Sequence, residues 1–260
     1  MRPRSRRRDL IGAAGVGLLA GFLSGLFGVG GGILIVPGLV LLMRMNQRLA
    51  HGTSLAAIVP IAVAGVAGYA LADAVDWTAG ALLIVGAAAG TVVGTTALRV
   101  VPENWLRALF AAFLVLAAAR LFLPVTQAMG RGAIDPGAVM GLVGIGVLSG
   151  AVAGLLGVGG GIVIVPALVL LFSLPDPVAK GTSLLVIIPT GLIGTLSNVR
   201  ARNANLPVAA VVGALGIVSA FGASQLSTVL PARLSRILFA ILLLAVAAQL
   251  LLRLRRGAAK

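Results

Sequence analysis

Two short glycine clusters are candidates for a binding site in this chain. Each cluster interrupts a long apolar run and frees backbone N–H and C=O groups, which an apolar region tolerates only when they are buried in protein or line a cavity. Free N–H groups at the positive end of a following short helix attract anions. The pattern therefore predicts an anion-binding site, with close helix packing through small residues as the alternative. The glycines are Gly28, Gly30, Gly31 and Gly32, and Gly157, Gly159, Gly160 and Gly161.

A Gly-Thr-Ser tripeptide opens a later apolar segment in each half of the chain. The hydroxyls of Thr53 and Ser54, and those of Thr182 and Ser183, could contact a polar substrate at a helix start. They could equally cap the helix itself, because both roles use the same unpaired N–H groups. Both interpretations remain open from the residues alone.

His51 and Lys180 precede the two tripeptides at equivalent positions. A cationic pair with one member in each half could attract an anion, and the histidine could titrate near neutral pH. The alternative for each residue is a loop position at the water interface, with the lysine side chain snorkelling.

The residue types that are absent or peripheral also restrict function. All six carboxylates fall at or outside the ends of the apolar segments, so we expect no proton or sodium relay in the middle of the membrane. One histidine, no cysteine and no cluster of acids leave no metal site and no nucleophile–base pair of the usual kinds. We therefore expect a protein that is not an enzyme and binds no metal or other cofactor. The carboxylates are Asp9, Asp73, Asp76, Glu103, Asp135 and Asp176.

The glycine clusters belong to a duplicated unit. Residues 25–42 return as residues 154–171 with 15 of 18 positions identical, at a constant offset of 129. The same offset relates Pro37 to Pro166, and one Gly-Thr-Ser tripeptide to the other. We assign a structural role to both prolines. In an apolar chain, glycine-interrupted segments at matching places in two halves indicate a membrane transporter with its site between the halves.

The composition is that of an integral membrane protein. Of the 260 residues, 60% are hydrophobic and 10% are charged, whereas soluble domains have about 25% charged residues. The mean hydropathy is +1.14. The formal net charge of +14 does not indicate nucleic-acid binding, because the arginines lie at the ends of apolar runs and not on a face with interleaved aromatics.

Ten apolar segments, five in each half, are separated by short polar turns. One helix over residues 10–43 would be about 51 Å long, against a hydrocarbon core of about 30 Å, and each central glycine would cost about 1 kcal/mol relative to alanine. A break at the glycines is therefore predicted, which gives about eight full spans, or ten segments when each broken hairpin counts as two. An odd number of segments per half predicts that the second half is inverted. The segments are Leu10–Phe27, Ile33–Met43, Thr53–Ala72, Trp77–Leu98, Trp105–Leu123, Gly137–Leu156, Ile162–Phe172, Thr182–Val199, Pro207–Thr228 and Leu234–Leu252.

The predicted fold is an all-α polytopic membrane protein of two homologous repeats. We expect a basic cytoplasmic tail over residues 1–9, membrane repeats over residues 10–128 and 129–252, and a second basic cytoplasmic tail over residues 253–260. The basic amino terminus predicts this orientation under the positive-inside rule. The expected partners are the lipid bilayer, a small anion and a coupling proton or sodium ion. No nucleic-acid partner is expected, and the oligomeric state is left open.

The paired Gly-x-Gly-Gly-Gly-Ile-x-Ile-Val-Pro motifs, each with a downstream Gly-Thr-Ser, resemble those of the TauE/SafE sulfite exporter family, also called the TSUP family. The resemblance covers nearly the whole chain, because both repeat units are present. It implies a multi-pass carrier in the inner (plasma) membrane, for sulfite, sulfonates or related small organic or sulfur-containing anions. It also implies that the cluster glycines, both prolines and both Thr-Ser pairs belong to the family pattern, whereas no family rule covers His51 and Lys180.

We therefore expect transport of a small anion by alternating access, through a midplane site formed by the two glycine breaks and the Gly-Thr-Ser helix starts. One alternative is a membrane scaffold or accessory subunit that transports nothing and uses its glycines for packing. Another is a passive anion channel.

Overall fold

A computed structural model describes residues 6–97, 111, 112, 114–119, 135–156 and 159–258 of the chain. The described residues form helices joined by short turns, as the composition predicts. We number the helices α1 to α10, with α5 described only over residues 111, 112 and 114–119. The others are α1 (Arg6–Phe27), α2 (Gly32–Leu42), α3 (Gln47–Ala70), α4 (Trp77–Ala97), α6 (Pro136–Leu156), α7 (Gly161–Leu171), α8 (Asp176–Arg200), α9 (Leu206–Val229) and α10 (Ala232–Ala258).

The helices have the lengths and surfaces of a polytopic membrane protein. Large apolar side chains face outward, and Leu19, Val85 and Val218 are each more than 60% exposed. Such a surface suits lipid and not water. Among the described residues, four stretches are long and apolar enough to cross a membrane: Arg48–Ala70, Pro136–Gly154, Asp176–Arg200 and Leu206–Val229.

The predicted break in the first apolar run is confirmed. α1 ends just before Gly28 and α2 begins just after Gly31, so that one long helix becomes two. Gly28, Gly30 and Gly31 have φ angles of 70°, 78° and 71°. A residue with a side chain is strained at these values, whereas glycine adopts them readily. The glycine cluster thus ends the helix where the chain must turn.

Each break makes a hairpin of two antiparallel helices. Gly31 lies against Ala20 of α1, and Gly38, further along α2, lies against the earlier Val16. In the second half, Gly160 lies against Ser149 in the same way, although Gly157 falls outside the described residues. The short arms α2 and α7 therefore fold back along α1 and α6.

Contacts along the helices give their relative directions. α3 and α8 are antiparallel, because Gly65 in the second half of α3 lies against Leu184 near the start of α8. Similar contacts show that α1, α3 and α9 run one way, and α4, α6 and α8 the other. We name the ends of the bundle after the first and last residues of α8: the Asp176 end and the Arg200 end.

Glycines allow α1 to pack directly on α9, and α6 on α4. A Cβ at Gly17 would collide with the carbonyl oxygen of Val212, and one at Gly21 with that of Gly216. Since equivalent helices also run in opposite directions, these are the contacts that an inverted duplication would produce. The corresponding contacts at the offset of 129 are Gly146 with Leu83 and Gly150 with Ala87.

Helices α3 and α8 begin six residues before their predicted starts at Thr53 and Thr182. The side chain of Asn46 accepts the N–H of Leu49 at 2.8 Å and caps α3, and Pro175 precedes α8. A polar cap sets the start of α3, whereas Pro175 makes no side-chain cap bond at the start of α8. Both helices extend beyond their apolar stretches. The prediction that the Gly-Thr-Ser tripeptides open or cap these helices is therefore wrong.

The terminal helices also extend beyond the predicted membrane segments. α1 begins at Arg6, and α10 continues to Ala258. The predicted segment Trp105–Leu123 lies mostly outside the described residues.

We expect Gly21→Ala and Gly150→Ala, at equivalent helix contacts, to lower the thermal unfolding midpoint of the protein in detergent. Each added methyl group would collide with a backbone carbonyl oxygen of the facing helix, and overpacking of this kind costs about 1–3 kcal/mol. The matched controls are Gly15→Ala and Gly144→Ala, where a Cβ meets open space. The controls should keep or raise the midpoint, because alanine favours helix by about 1 kcal/mol. Equal effects in the two pairs would contradict this packing.

Candidate functional site

The two glycine breaks meet beside the crossing of α3 and α8. Gly30 and Gly159 both lie against Ile187 on α8, and Gly30 also lies against Ile58 on α3. Ile58 and Ile187 are themselves equivalent at the offset of 129. The starts of α2 and α7 therefore come together in the interior of the bundle, with each half contributing one break.

One carbonyl oxygen in each break accepts a serine hydroxyl. Ser183 donates to the carbonyl oxygen of Gly28 at 2.8 Å, and Ser149 donates to that of Gly160 at 3.1 Å. No hydrogen bond between described residues uses the N–H groups of residues 29–33. The first break thus has unused donors at the start of α2, where the helix dipole favours negative charge.

The first residues of α2 and α7 are the predicted site glycines Gly32 and Gly161, and both are buried. A Cβ at Gly161 would lie 2.5 Å from the carbonyl oxygen of Gly28 and 2.8 Å from the Cα of Val29. Only glycine allows the two breaks to approach this closely.

The two prolines to which the sequence gives a structural role lie inside the short arms. Pro37 is the sixth residue of α2 and Pro166 is the sixth residue of α7. Proline has no N–H group to bond the carbonyl four residues earlier, so each arm has a weakened first turn next to its glycine break. Their structural role stays a prediction.

Thr53 and Thr182 connect helices at opposite ends of the bundle. The hydroxyl of Thr53 accepts the N–H of Asn205 at 2.9 Å, and that of Thr182 accepts the N–H of Asp76 at 2.9 Å. Asn205 and Asp76 in turn accept N–H groups in the first turns of α9 and α4. Both threonines are buried, and the two contacts match at the offset of 129. The threonines therefore lie at helix junctions and not at the glycine breaks.

Ser183, in the second tripeptide, reaches the first glycine break through its bond to Gly28. Its equivalent, Ser54, is buried within α3. His51 is half-buried, also within α3. The interpretation of His51 as a loop residue is therefore wrong, because the helix begins before it.

The surroundings of Lys180 differ most from those that the sequence predicts. Its Nζ atom lies 2.6 Å from Oδ2 of Asp176 and donates to the hydroxyls of Ser227, at 3.1 Å, and Ser235. The Lys180 side chain is 0% exposed, so it does not snorkel to the water interface. Its ammonium is paired in this conformation and is not free to bind an anion. Asp176, the first residue of α8, lies at a segment end as expected but is buried in the bundle, with 8% exposure. The residues of α9 and α10 that contact this pair cover the start of α8.

A cavity of about 600 Å³ lies at the Arg200 end. Its inner wall includes Leu55, which follows Ser54, and Gly154, which lies shortly before the second glycine cluster. Leu196, Ser197 and Arg200 form part of its lining and are exposed, so the cavity reaches the surface. Its other polar lining residues are Thr91 and Asn198.

The profile of a family described as Sulfite exporter TauE/SafE matches residues 1–121 and 142–260. The probable membrane transporter protein YunE of Bacillus subtilis (strain 168) is 31% identical over 214 residues, which are 73% of this chain and 78% of that protein. A probable membrane transporter protein of Xylella fastidiosa (strain Temecula1) is 31% identical over 233 residues, 88% of this chain and 87% of that protein. One from Methanocaldococcus jannaschii is 27% identical over 188 residues, 70% and 68% of the two chains.

We expect Thr53→Val and Thr182→Val each to lower the free energy of unfolding by about 1–3 kcal/mol, because each leaves a backbone N–H without its acceptor. Thr53→Ser and Thr182→Ser keep the hydroxyl group, so their free energy of unfolding should fall less than that of the valine variants. Thermal unfolding in detergent measures the difference. A valine variant with unchanged stability but a raised KM for transport would instead assign these threonines to the substrate site.

Proposed function

The chain belongs to the TauE/SafE sulfite exporter family, and from that membership we propose that it is a secondary transporter of a small anion that works by alternating access. Its family makes it a membrane transporter protein. The proposed cargo is sulfite, an organosulfonate or a related sulfur-containing or organic anion.

The observation that carries this proposal is the meeting of two glycine breaks, the first of which has N–H groups without a partner among the described residues. Ser183 and Ser149 bond carbonyl oxygens of the breaks, and the amides of residues 29–33 remain available as donors. In a low-dielectric interior, fixed donors at a helix start stabilise negative charge. An oxyanion with several acceptor oxygens, such as a sulfite or sulfonate, is a ligand that can use many such donors at once.

The cavity and the buried ion pair at opposite ends support alternating access. The cavity reaches the surface at the Arg200 end, whereas the Lys180–Asp176 pair fills the interior at the Asp176 end. Arg44, Arg48 and Arg202 also lie at the Arg200 end, so the positive-inside rule favours the cytoplasm on that side. The described conformation then corresponds to a carrier open towards the cytoplasm, with both termini on that side and the protein in the inner membrane.

Uptake by purified protein in liposomes tests the proposed function. The panel contains labelled sulfite, sulfate, short sulfonates and carboxylates, and empty liposomes give the background. Saturable, protein-dependent uptake of one anion, together with counterflow against unlabelled anion, would establish a carrier. Flux that neither saturates nor shows counterflow would indicate a passive channel instead. Absence of flux for every anion would favour a scaffold or accessory subunit.

We expect Arg200→Gln to raise the KM for the transported anion about fivefold, since a partly solvated charge of this kind contributes about 1 kcal/mol of attraction. The kcat should change little, because Arg200 lies at the cavity and not at the breaks. The control is Arg202→Gln, which removes the same charge at the same end from an exposed residue that does not line the cavity. An equal rise in KM for both variants would show a general surface-charge effect and contradict a role for the cavity.

A further inference from the structure

A buried charged cluster joins α1, α8, α9 and α10 at the Asp176 end. Lys180 contacts Asp176, Ser227 and Ser235, and Ser235 donates its hydroxyl proton to Oδ2 of Asp176 at 2.7 Å. Ser227 donates to the carbonyl oxygen of Leu26, in the last turn of α1, at 3.0 Å. The Lys180 ammonium therefore uses its three donors within a cluster that ends at the first glycine break.

The shared fold does not require this cluster, because the first half lacks it. At the offset of 129, Asp176 and Lys180 correspond to Gln47 and His51, and the two serines correspond to leucines. A charged pair that only stabilised the repeat would be expected in both halves. A buried ionisable pair in a membrane protein that appears in one half alone points to function.

One oxygen of the pair lacks a hydrogen bond. Oδ1 of Asp176 is buried and has no partner among the described residues, whereas Oδ2 binds both Lys180 and Ser235. The residue as a whole is 8% exposed and begins α8 at this end of the bundle, whereas Oδ1 itself is buried. Oδ1 is thus the oxygen of this carboxylate whose lone pairs no described residue uses.

Few other charges surround the pair. Tyr69 lies close to it, and its hydroxyl donates to the carbonyl oxygen of Gly25 at 2.6 Å. The charged or titratable groups at this end of the bundle, within the described residues, are Lys180 on α8, Tyr69 on α3, Asp73 and Asp76 between α3 and α4, Asp135 just before α6, and Arg233 and Arg236 in the first turns of α10.

We propose that Asp176 is the proton-binding carboxylate of this carrier and that Lys180 is the counter-charge for the transported anion. This assignment rests on the proposed function and names its coupling ion. A proton from water binds Oδ1, so that the carboxylate becomes neutral and Lys180 keeps an uncompensated positive charge. The charge of a monovalent anion at the glycine breaks then balances that of Lys180. When the anion leaves, Asp176 releases its proton and pairs with Lys180 again, so one proton and one anion cross in the same direction.

The position of Lys180 suits this exchange. A Cβ at Gly28 would lie 2.6 Å from the Cα of Lys180, so α8 contacts the first glycine break directly at this residue. The ammonium also lies 5.8 Å from the centre of the Phe27 ring, at the end of α1. A change in charge at the pair therefore acts on the same segment that offers its amides to the anion.

Proteoliposomes with an internal pH indicator test the assignment with the panel anion that the unmodified protein transports. The unmodified protein should accumulate the anion when an inward proton gradient is imposed and should acidify the interior during influx. Asp176→Asn should reduce gradient-driven accumulation about tenfold or more while keeping exchange of labelled for unlabelled anion. The control is Asp73→Asn, an exposed loop position at the same end with a φ of 52° that asparagine tolerates.

A second variant covers the case in which Asp176→Asn fails to fold because it leaves Lys180 buried and unpaired. Asp176→Asn with Lys180→Met removes both charges, and buried pairs replaced in this way often keep their stability. It should fold, lose proton-driven accumulation and bind the anion more weakly. Proton-driven accumulation at the unmodified level in either variant would overturn the assignment, as would unmodified flux that follows a sodium gradient or no ion gradient. Absence of any flux in the unmodified protein would overturn the proposed function and this assignment together.

Discussion

The structure depends on one constraint: a helix that breaks inside a membrane must have its freed backbone groups surrounded by protein. Glycines at positive φ separate the end of α1 from the start of α2 at the first break, and the second break comes to lie beside it against Ile187. Serine hydroxyls bond one carbonyl oxygen in each break, whereas the amides of residues 29–33 have no partner among the described residues. The remaining helices surround these breaks, and their glycine contacts allow the bundle to close tightly enough to exclude lipid.

The backbone contacts between helices match at the offset of 129, whereas the buried charged residues do not. The contacts of α1 with α9 match those of α6 with α4, and the threonine junctions match at opposite ends. The buried ion pair Lys180–Asp176 lies at the Asp176 end, whereas the part of the first half that corresponds to it has Gln47 and His51 in its place, and the described cavity lies at the Arg200 end. Unequal side chains at the two ends would let the two sides of the proposed carrier respond to different ligands.

Backbone features of the site could be predicted from the sequence, and most of its side-chain contacts could not. The break at Gly28–Gly32 followed from helix length and glycine conformation, which are local properties. The partner of Thr182 is 106 residues away, and that of Thr53 is 152 residues away, so no local pattern indicated their role as junctions. Asp176 lies before the apolar part of α8, which suggested a position outside the interior. Hydropathy measures the preference of a segment for lipid and does not show that α9 and α10 cover that helix start.

We propose that amides at the glycine breaks hold the anion. Anomalous X-ray diffraction from crystals grown with selenite tests this binding site most directly. Selenite has the shape and charge of sulfite, and its selenium atom can be located independently of the protein. We expect an anomalous selenium peak between the two breaks, within hydrogen-bonding reach of the amides of residues 29–33 and close to Ile58 and Ile187. Peaks only at the mouth of the cavity beside Arg200, or only on the protein surface, would contradict it.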